Sequence, residues 1–235
     1  VITDTDTGNS FDCTLGGADA GDFTCTISGN NAQLKFAAVP NYESPADANG
    51  DNVYVVTVLV DDGVADDANG ATTLTITVSD LNDQAPVWTT STTANVAEGA
   101  TAVATLAATD SDTADSGGLT YSITTDDPGS GTQFAVSGTA LTMTAQDYEN
   151  PGCGSGSDSL TCVVVLAATD AANTATAHTI TVTITDTNDQ TPVYQAADAD
   201  DTFSVAENTA TSSVIDNGVI TDTDTGNSFT CTLGG

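Results

Sequence analysis

The stretch His178-Thr-Ile-Thr-Val-Thr-Ile-Thr-Asp186 alternates apolar and polar side chains without interruption. A period of two predicts a strand with one wet face, here with Ile180, Val182 and Ile184 toward a core and the threonines toward water. Thr72-Thr-Leu-Thr-Ile-Thr-Val-Ser-Asp80 is its counterpart earlier in the chain. Cys162-Val-Val-Val-Leu-Ala-Ala168 is apolar throughout and predicts a central strand. Turn residues separate further β-type runs, and the segment predicts seven strands near 87–97, 102–109, 119–125, 133–137, 140–145, 160–169 and 178–186. Short strands at this spacing predict a β-sandwich. No apolar run approaches the ~18 residues of a membrane-spanning helix, so no membrane insertion is expected.

The chain repeats itself at two periods. Residues 1–17 and 219–235 agree at sixteen of 17 positions, differing only at Asp12 and Thr230. Within that 218-residue period lies a shorter one. Asp80-Leu-Asn-Asp-Gln-Ala-Pro86 returns as Asp186-Thr-Asn-Asp-Gln-Thr-Pro192, 106 residues on. The Asp-x-Asp pairs Asp4/Asp6, Asp110/Asp112 and Asp222/Asp224 lie 106 and 112 residues apart. Fixed recurrence of this kind marks a tandem array. The expected organisation is a partial repeat over 1–84, a complete one over 85–190 and the start of a third over 191–235.

Composition narrows the partners. The chain carries 33 acids against one base, Lys35, for a formal charge of −32. Such a surface repels nucleic acid and anionic membranes, and it opposes any compact fold unless cations neutralise it. Either the acids form a solvated coat, or many of them bind metal at fixed positions. Their placement favours the second reading.

Val96-Ala-Glu98-Gly, Asp110-x-Asp112, Asp147-Tyr-Glu149, Asp170 after Leu166-Ala-Ala-Thr, and Asp186-Thr-Asn-Asp-Gln-Thr-Pro192 stand in one order along the complete repeat. This ordered set resembles the motifs of cadherin repeats. The resemblance implies an all-β fold of tandem seven-stranded Greek-key β-sandwiches, cadherin/immunoglobulin-like, arranged end to end. It also implies about three Ca²⁺ at each junction between repeats, held by six to eight oxygens apiece. The junction after the complete repeat would use Glu98, Asp147, Glu149, Asp186, Asn188, Asp189, Asp222 and Asp224, with backbone oxygens of Thr187 and Gln190. The junction before it would use Glu43, Asp80, Asn82, Asp83, Asp110, Asp112 and Asp170. Two departures stand out. Asn41 replaces the acid found at Asp147, which should weaken one ion, and Gln84 and Gln190 occupy a position usually filled by Asn. Asp and Asn also favour turns, but turn preference does not explain a matching order of motifs. About six ions would offset ~12 of the 32 charges, leaving a substantial acidic coat.

With the repeats in hand, the cysteines sort themselves. Cys13 and Cys25 flank a turn, Cys153 and Cys162 flank a Gly/Ser-rich loop, and Cys231 copies Cys13. Disulfides Cys13–Cys25 and Cys153–Cys162 are expected, with the partner of Cys231 falling past residue 235. Disulfides persist in oxidising compartments, so an extracellular or cell-surface location follows. Trp88, which returns as Tyr194, is expected to pack at a junction, Tyr42 and Tyr148 beneath the acidic motifs, and His178 at the surface or an edge. Nucleophile–base catalysis needs a His or Lys beside a Ser or Cys, and the chain offers only His178 and Lys35. An enzyme is therefore not expected. The expected function is a calcium-rigidified stalk or fibre, with calcium-dependent adhesion, homophilic or carbohydrate-binding, as the alternative. Its partners would be neighbouring repeats of the same polypeptide or filament, and like chains.

Overall fold

The computed structural model describes residue 2 and residues 10–63, 70–112, 118–126, 133–153, 160–197, 202–225 and 228–232. Two compact units result. The first comprises residues 1–84 with 110–118 and 171–173; the second comprises 85–109, 119–170 and 174–235. The Asp4/Asp6 pair lies outside the described residues.

The first unit contains β1 (Asp12–Gly16), β2 (Phe23–Ser28), β3 (Asn31–Phe36), β4 (Val53–Asp61) and β5 (Thr72–Thr77). A sheet in the order β1-β4-β5 accompanies the β2-β3 hairpin. Gly29 opens the hairpin turn at φ +58°, a conformation that β-carbon-bearing residues rarely adopt. The core is small and aromatic: Phe23, Phe36 and Tyr54 meet with centroids 4.6, 5.8 and 5.2 Å apart. Two buried acids serve as backbone caps. Asp19 accepts from the N–H groups of Ala48 (2.7 Å) and Val55 (2.6 Å). Asp47 accepts from Asp51 (2.9 Å) and Asn52 (3.1 Å). Burial alone would push the Asp47 carboxyl up, but N–H groups of Asp51, Asn52 and Gly50 outweigh it and hold it below the ordinary value.

The second unit contains β6 (Val87–Trp88), β7 (Thr93–Ala97), β8 (Ala102–Thr105), β9 (Ala108–Thr109), β10 (Thr120–Thr125), β11 (Phe134–Ser137), β12 (Ala140–Met143), β13 (Thr161–Thr169) and β14 (His178–Thr185). Next come β15 (Val193–Gln195) and β16 (Val219–Thr221), which pair with each other. One sheet runs β10-β13-β14-β7, the other β11-β12-β8. As expected, the apolar run of β13 is central, and Ile180, Val182 and Ile184 of β14 are buried. They meet Val164 and Leu166 of β13, Phe134 of β11, Leu141 and Met143 of β12, and Val96 of β7 in one core. Each such aliphatic side chain contributes about 1.5–3 kcal/mol when fully buried.

Two predicted strands prove to be four. The 87–97 and 102–109 runs each break because the chain changes partner: β6 pairs with β9, whereas β7 lies parallel on β14. At the break, the N–H groups of Thr89 and Thr90 both donate to the Ala107 carbonyl, at 3.0 and 3.2 Å. His178 is not a surface residue. It is only 8% exposed, stacks on Trp88 at 4.7 Å, and places Nε2 3.3 Å from the Ser91 carbonyl. The Trp88 indole N–H donates to Thr176 (3.1 Å), so Trp88 is held within its own unit, while Tyr194 is exposed.

Both expected disulfides are present. Cys13–Cys25 joins β1 to β2 with Cα atoms 6.0 Å apart, and Cys153–Cys162 anchors a loop to β13 at 5.4 Å, with both cysteines in the core. Cys231 is an exposed free thiol.

Candidate metal centre

The acidic motifs occupy strand ends and the loops after them, where backbone N–H groups left over by the ladder are available to fix carboxylates. In the first unit, Glu43, Asp83 and Asp112 bring one oxygen each within 4.8 Å of one another. In the second unit, two groups do the same: Glu98, Glu149 and Asp189, and Glu149, Asp186 and Asp224. Glu149 belongs to both.

The two units build these groups with one set of hydrogen bonds. The Gln84 N–H donates to Asp112 at 2.8 Å, and the Gln190 N–H to Asp224 at 2.8 Å. The Gln84 side-chain amide donates to Asp83 (2.6 Å), and that of Gln190 to Asp189 (2.8 Å). Asp112 N–H meets Asp110, and Asp224 N–H meets Asp222, both at 3.0 Å. The Glu43 N–H donates to Asn41 Oδ1, and the Glu149 N–H to Asp147 Oδ1, both at 3.1 Å. Glu98 bridges two motifs, accepting from Tyr148 N–H (2.8 Å) and Thr187 N–H (2.6 Å).

What remains unsatisfied is as regular as what is satisfied. Glu43 Oε1, Asp110 Oδ2, Asp112 Oδ1, Asp186 Oδ1 and both oxygens of Glu149 are buried without a hydrogen-bond partner. Ionised carboxylates accept only, so massing them without donors is costly unless a cation sits among them. Burial, opposed by its own backbone N–H and reinforced by Glu98, Asp147 and Asp224, pushes the Glu149 carboxyl up to about 7. At Glu43 the backbone N–H pulls down, but desolvation with Asp112 and Asp83 outweighs it and the carboxyl is raised. The donor set is oxygen alone, with no thiolate or imidazole, and suits a hard cation of calcium type.

Other expected ligands stand outside the three groups. Asp80 and Asn82 are half-buried, and Asn82 accepts from the Asn173 side chain. Asp170 is half-buried just past β13, Asp147 and Asn188 are exposed, and Asp222 acts through its bond to Asp224. Tyr148 packs on the core below its acidic neighbours.

Sequence reasoning passed over three residue types here. Gln84 and Gln190 orient a neighbouring Asp, a role invisible if that position is read as backbone only. Asn173 ties down Asn82. Thr225 holds Asp186 through both N–H (2.5 Å) and hydroxyl. A signal for Thr225 existed, because Thr follows each of the three Asp-x-Asp pairs that recur with the repeat, at Thr7, Thr113 and Thr225.

No family model matches the chain, and no curated protein matches it. Solved structures do. The extracellular cadherin domains 3–6 of protocadherin gammaB7, a cis-dimer, match 92% of this chain and 52% of theirs, at 24% identity and a TM-score of 0.66. The protocadherin gammaB4 extracellular domain matches 92% of this chain and 35% of its own, at 22% identity and 0.63. Domains 1–2 of human protocadherin-24 match 78% of this chain and 85% of theirs, at 19% identity and 0.59. The chain spans about half or less of the two gamma protocadherins. At these identities the likeness is one of fold, and in fold the chain is a cadherin-like tandem repeat protein.

Proposed function

We propose that this chain is a stretch of an extracellular stalk or fibre whose successive repeats are stiffened by calcium. The supporting observation is the duplicated site: two acidic centres made by the same hydrogen bonds, each leaving buried carboxylate oxygens without donors. Repeat boundaries would fall near 84/85 and 190/191. One centre would hold its ions with Glu98, Asp147, Glu149, Asp186, Asn188, Asp189, Asp222 and Asp224, plus the carbonyls of Thr187 and Gln190. The other would use Glu43, Asp80, Asn82, Asp83, Asp110, Asp112 and Asp170. With about three ions each, the centres would neutralise repulsion and hold the chain ends that carry the ligands in one arrangement. Linkers without ions would bend instead. The disulfides fit an oxidising, extracellular setting.

Adhesion between like chains is the second reading, favoured by the fold shared with protocadherin ectodomains, one of them a cis-dimer. Bead aggregation with and without calcium separates the two, since a pure spacer does not clump beads.

Calorimetric titration of the chelator-stripped chain tests the metal. Saturable Ca²⁺ binding tighter than roughly millimolar is expected, weakened in Glu43→Gln and Glu149→Gln, with Mg²⁺ a poor substitute. Absence of binding at that concentration would sink the proposal.

A further inference from the structure

The loop that carries Asp147 and Glu149 is closed at its base by residues outside the carboxylate groups. Gln146, the residue before Asp147, is buried. Its Oε1 accepts the Gly152 N–H at 2.8 Å, so residues 147–151 hang from a closed ring. Its Nε2 donates to the Gln133 side chain (3.0 Å) and to the Thr144 carbonyl (2.7 Å), which fixes the orientation of the amide. Its own carbonyl accepts from the N–H of Gly99, the neighbour of Glu98, at 2.8 Å. A β-carbon at residue 152 would stand 3.2 Å from Gln146 Oε1, so glycine there permits the close approach. The next residue, Cys153, is bonded to Cys162 of β13, and the two cysteines are 1% and 0% exposed.

The first unit holds its corresponding loop by other means. Pro40 stands 106 residues before Gln146, and its side chain offers neither donor nor acceptor. Cys162 faces Val182 across the β13–β14 ladder, and Tyr54 faces Ile76, 106 residues before Val182, across β4–β5. Tyr54 therefore stands where Cys162 does. Its hydroxyl accepts the Ala46 N–H at 3.2 Å, while the Asn52 side-chain amide donates to the Tyr42 carbonyl at 2.9 Å. The two acidic loops are thus braced differently, by hydrogen bonds alone in the first unit and by a covalent bond as well in the second.

We infer that Gln146 and the Cys153–Cys162 disulfide are positioning residues of the Glu149 centre. Together they clip the base of the acidic loop, so that its carboxylates are held in place before an ion arrives. The inference rests on the calcium reading proposed above. A loop fixed in advance loses less conformational freedom on binding, and partners one step removed from the ligands typically change metal affinity by about 10–100-fold. Affinity at the Glu149 centre therefore depends on the disulfide, and affinity at the Glu43 centre does not.

Calorimetric titration of the intact chain with Ca²⁺ tests this in two backgrounds that separate the centres. Glu43→Gln leaves the Glu149 centre to be read, and Glu149→Gln leaves the Glu43 centre. In the first background, Gln146→Leu should weaken binding about tenfold or more, and so should Cys153→Ala combined with Cys162→Ala. In the second background the same changes should leave affinity within about twofold, since distant sites act independently. Tyr54→Phe should show the opposite preference. Melting in chelator establishes that each variant is folded, and the titrations are run well below that transition. Gln146→Leu keeps the disulfide and a side chain of similar size, so it decides the matter if the double substitution does not fold. Unchanged affinity at the Glu149 centre overturns the inference, and so does an equal loss at both centres, which marks a general loosening. An unsubstituted chain that binds no calcium overturns the calcium reading itself, and the clip with it.

Discussion

Glu149 is the residue on which the acidic centre of the second unit turns. It belongs to two of the three carboxylate groups, and both its oxygens are buried without a donor. Its carboxyl is raised from 4.5 to about 7 without metal. A raised carboxyl favours the folded state below 4.5, and that contribution is lost as pH rises through about 7. In chelator the melting temperature should therefore fall between those pH values, and Glu149→Gln should flatten that slope. With calcium the trend reverses, because protons compete with the ion, and affinity should increase as pH rises through 7. Calorimetric melts across pH, with and without chelator, check both signs. Asn41 gives the converse case: Asn41→Asp supplies the missing acid and should tighten calcium binding in the first unit about tenfold, or 1.4 kcal/mol. Titration of that variant beside the wild type measures it. The order of acidic motifs made these residues legible from the sequence. Asp19 and Asp47 were not, because nothing local separates a buried backbone cap from the acidic coat. The partners of Asp19 are distant in sequence, Ala48 in a loop 29 residues on and Val55 in β4 36 residues on, whereas Asp47 caps the turn just after it, at Asp51 and Asn52.

At the scale of elements, the period-two pattern of β14 and the unbroken apolar run of β13 carried their own assignment, since alternation marks a strand with one wet face and an unbroken apolar run marks one inside its sheet. The split of 87–97 left none. Thr89 to Thr92 suit a strand as well as their neighbours do, and the break arises only because β6 and β7 hydrogen-bond to different strands. His178 escaped for a related reason: its cover is Trp88, ninety positions earlier in sequence. The core set by these elements is testable by contrast. Ile180→Ala should cost about 2–5 kcal/mol, because the site is fully buried between two sheets. Val87→Ala, at an exposed strand end, should change stability by less than about 0.5 kcal/mol. Denaturant unfolding of the two variants compares them.

For the whole molecule, the charge of −32 and the duplicated acidic centres set the problem together. On the proposed reading, like charges crowd the cation-free centres and the chain relaxes, whereas bound calcium would turn that repulsion into coordination. Small-angle scattering of the intact chain, at a concentration where it is monomeric, reads this as maximum dimension and stiffness. The expected result is a longer, narrower distribution of distances in calcium that collapses or broadens in chelator and returns when calcium is restored. An identical profile in calcium and in chelator would contradict calcium-dependent stiffening.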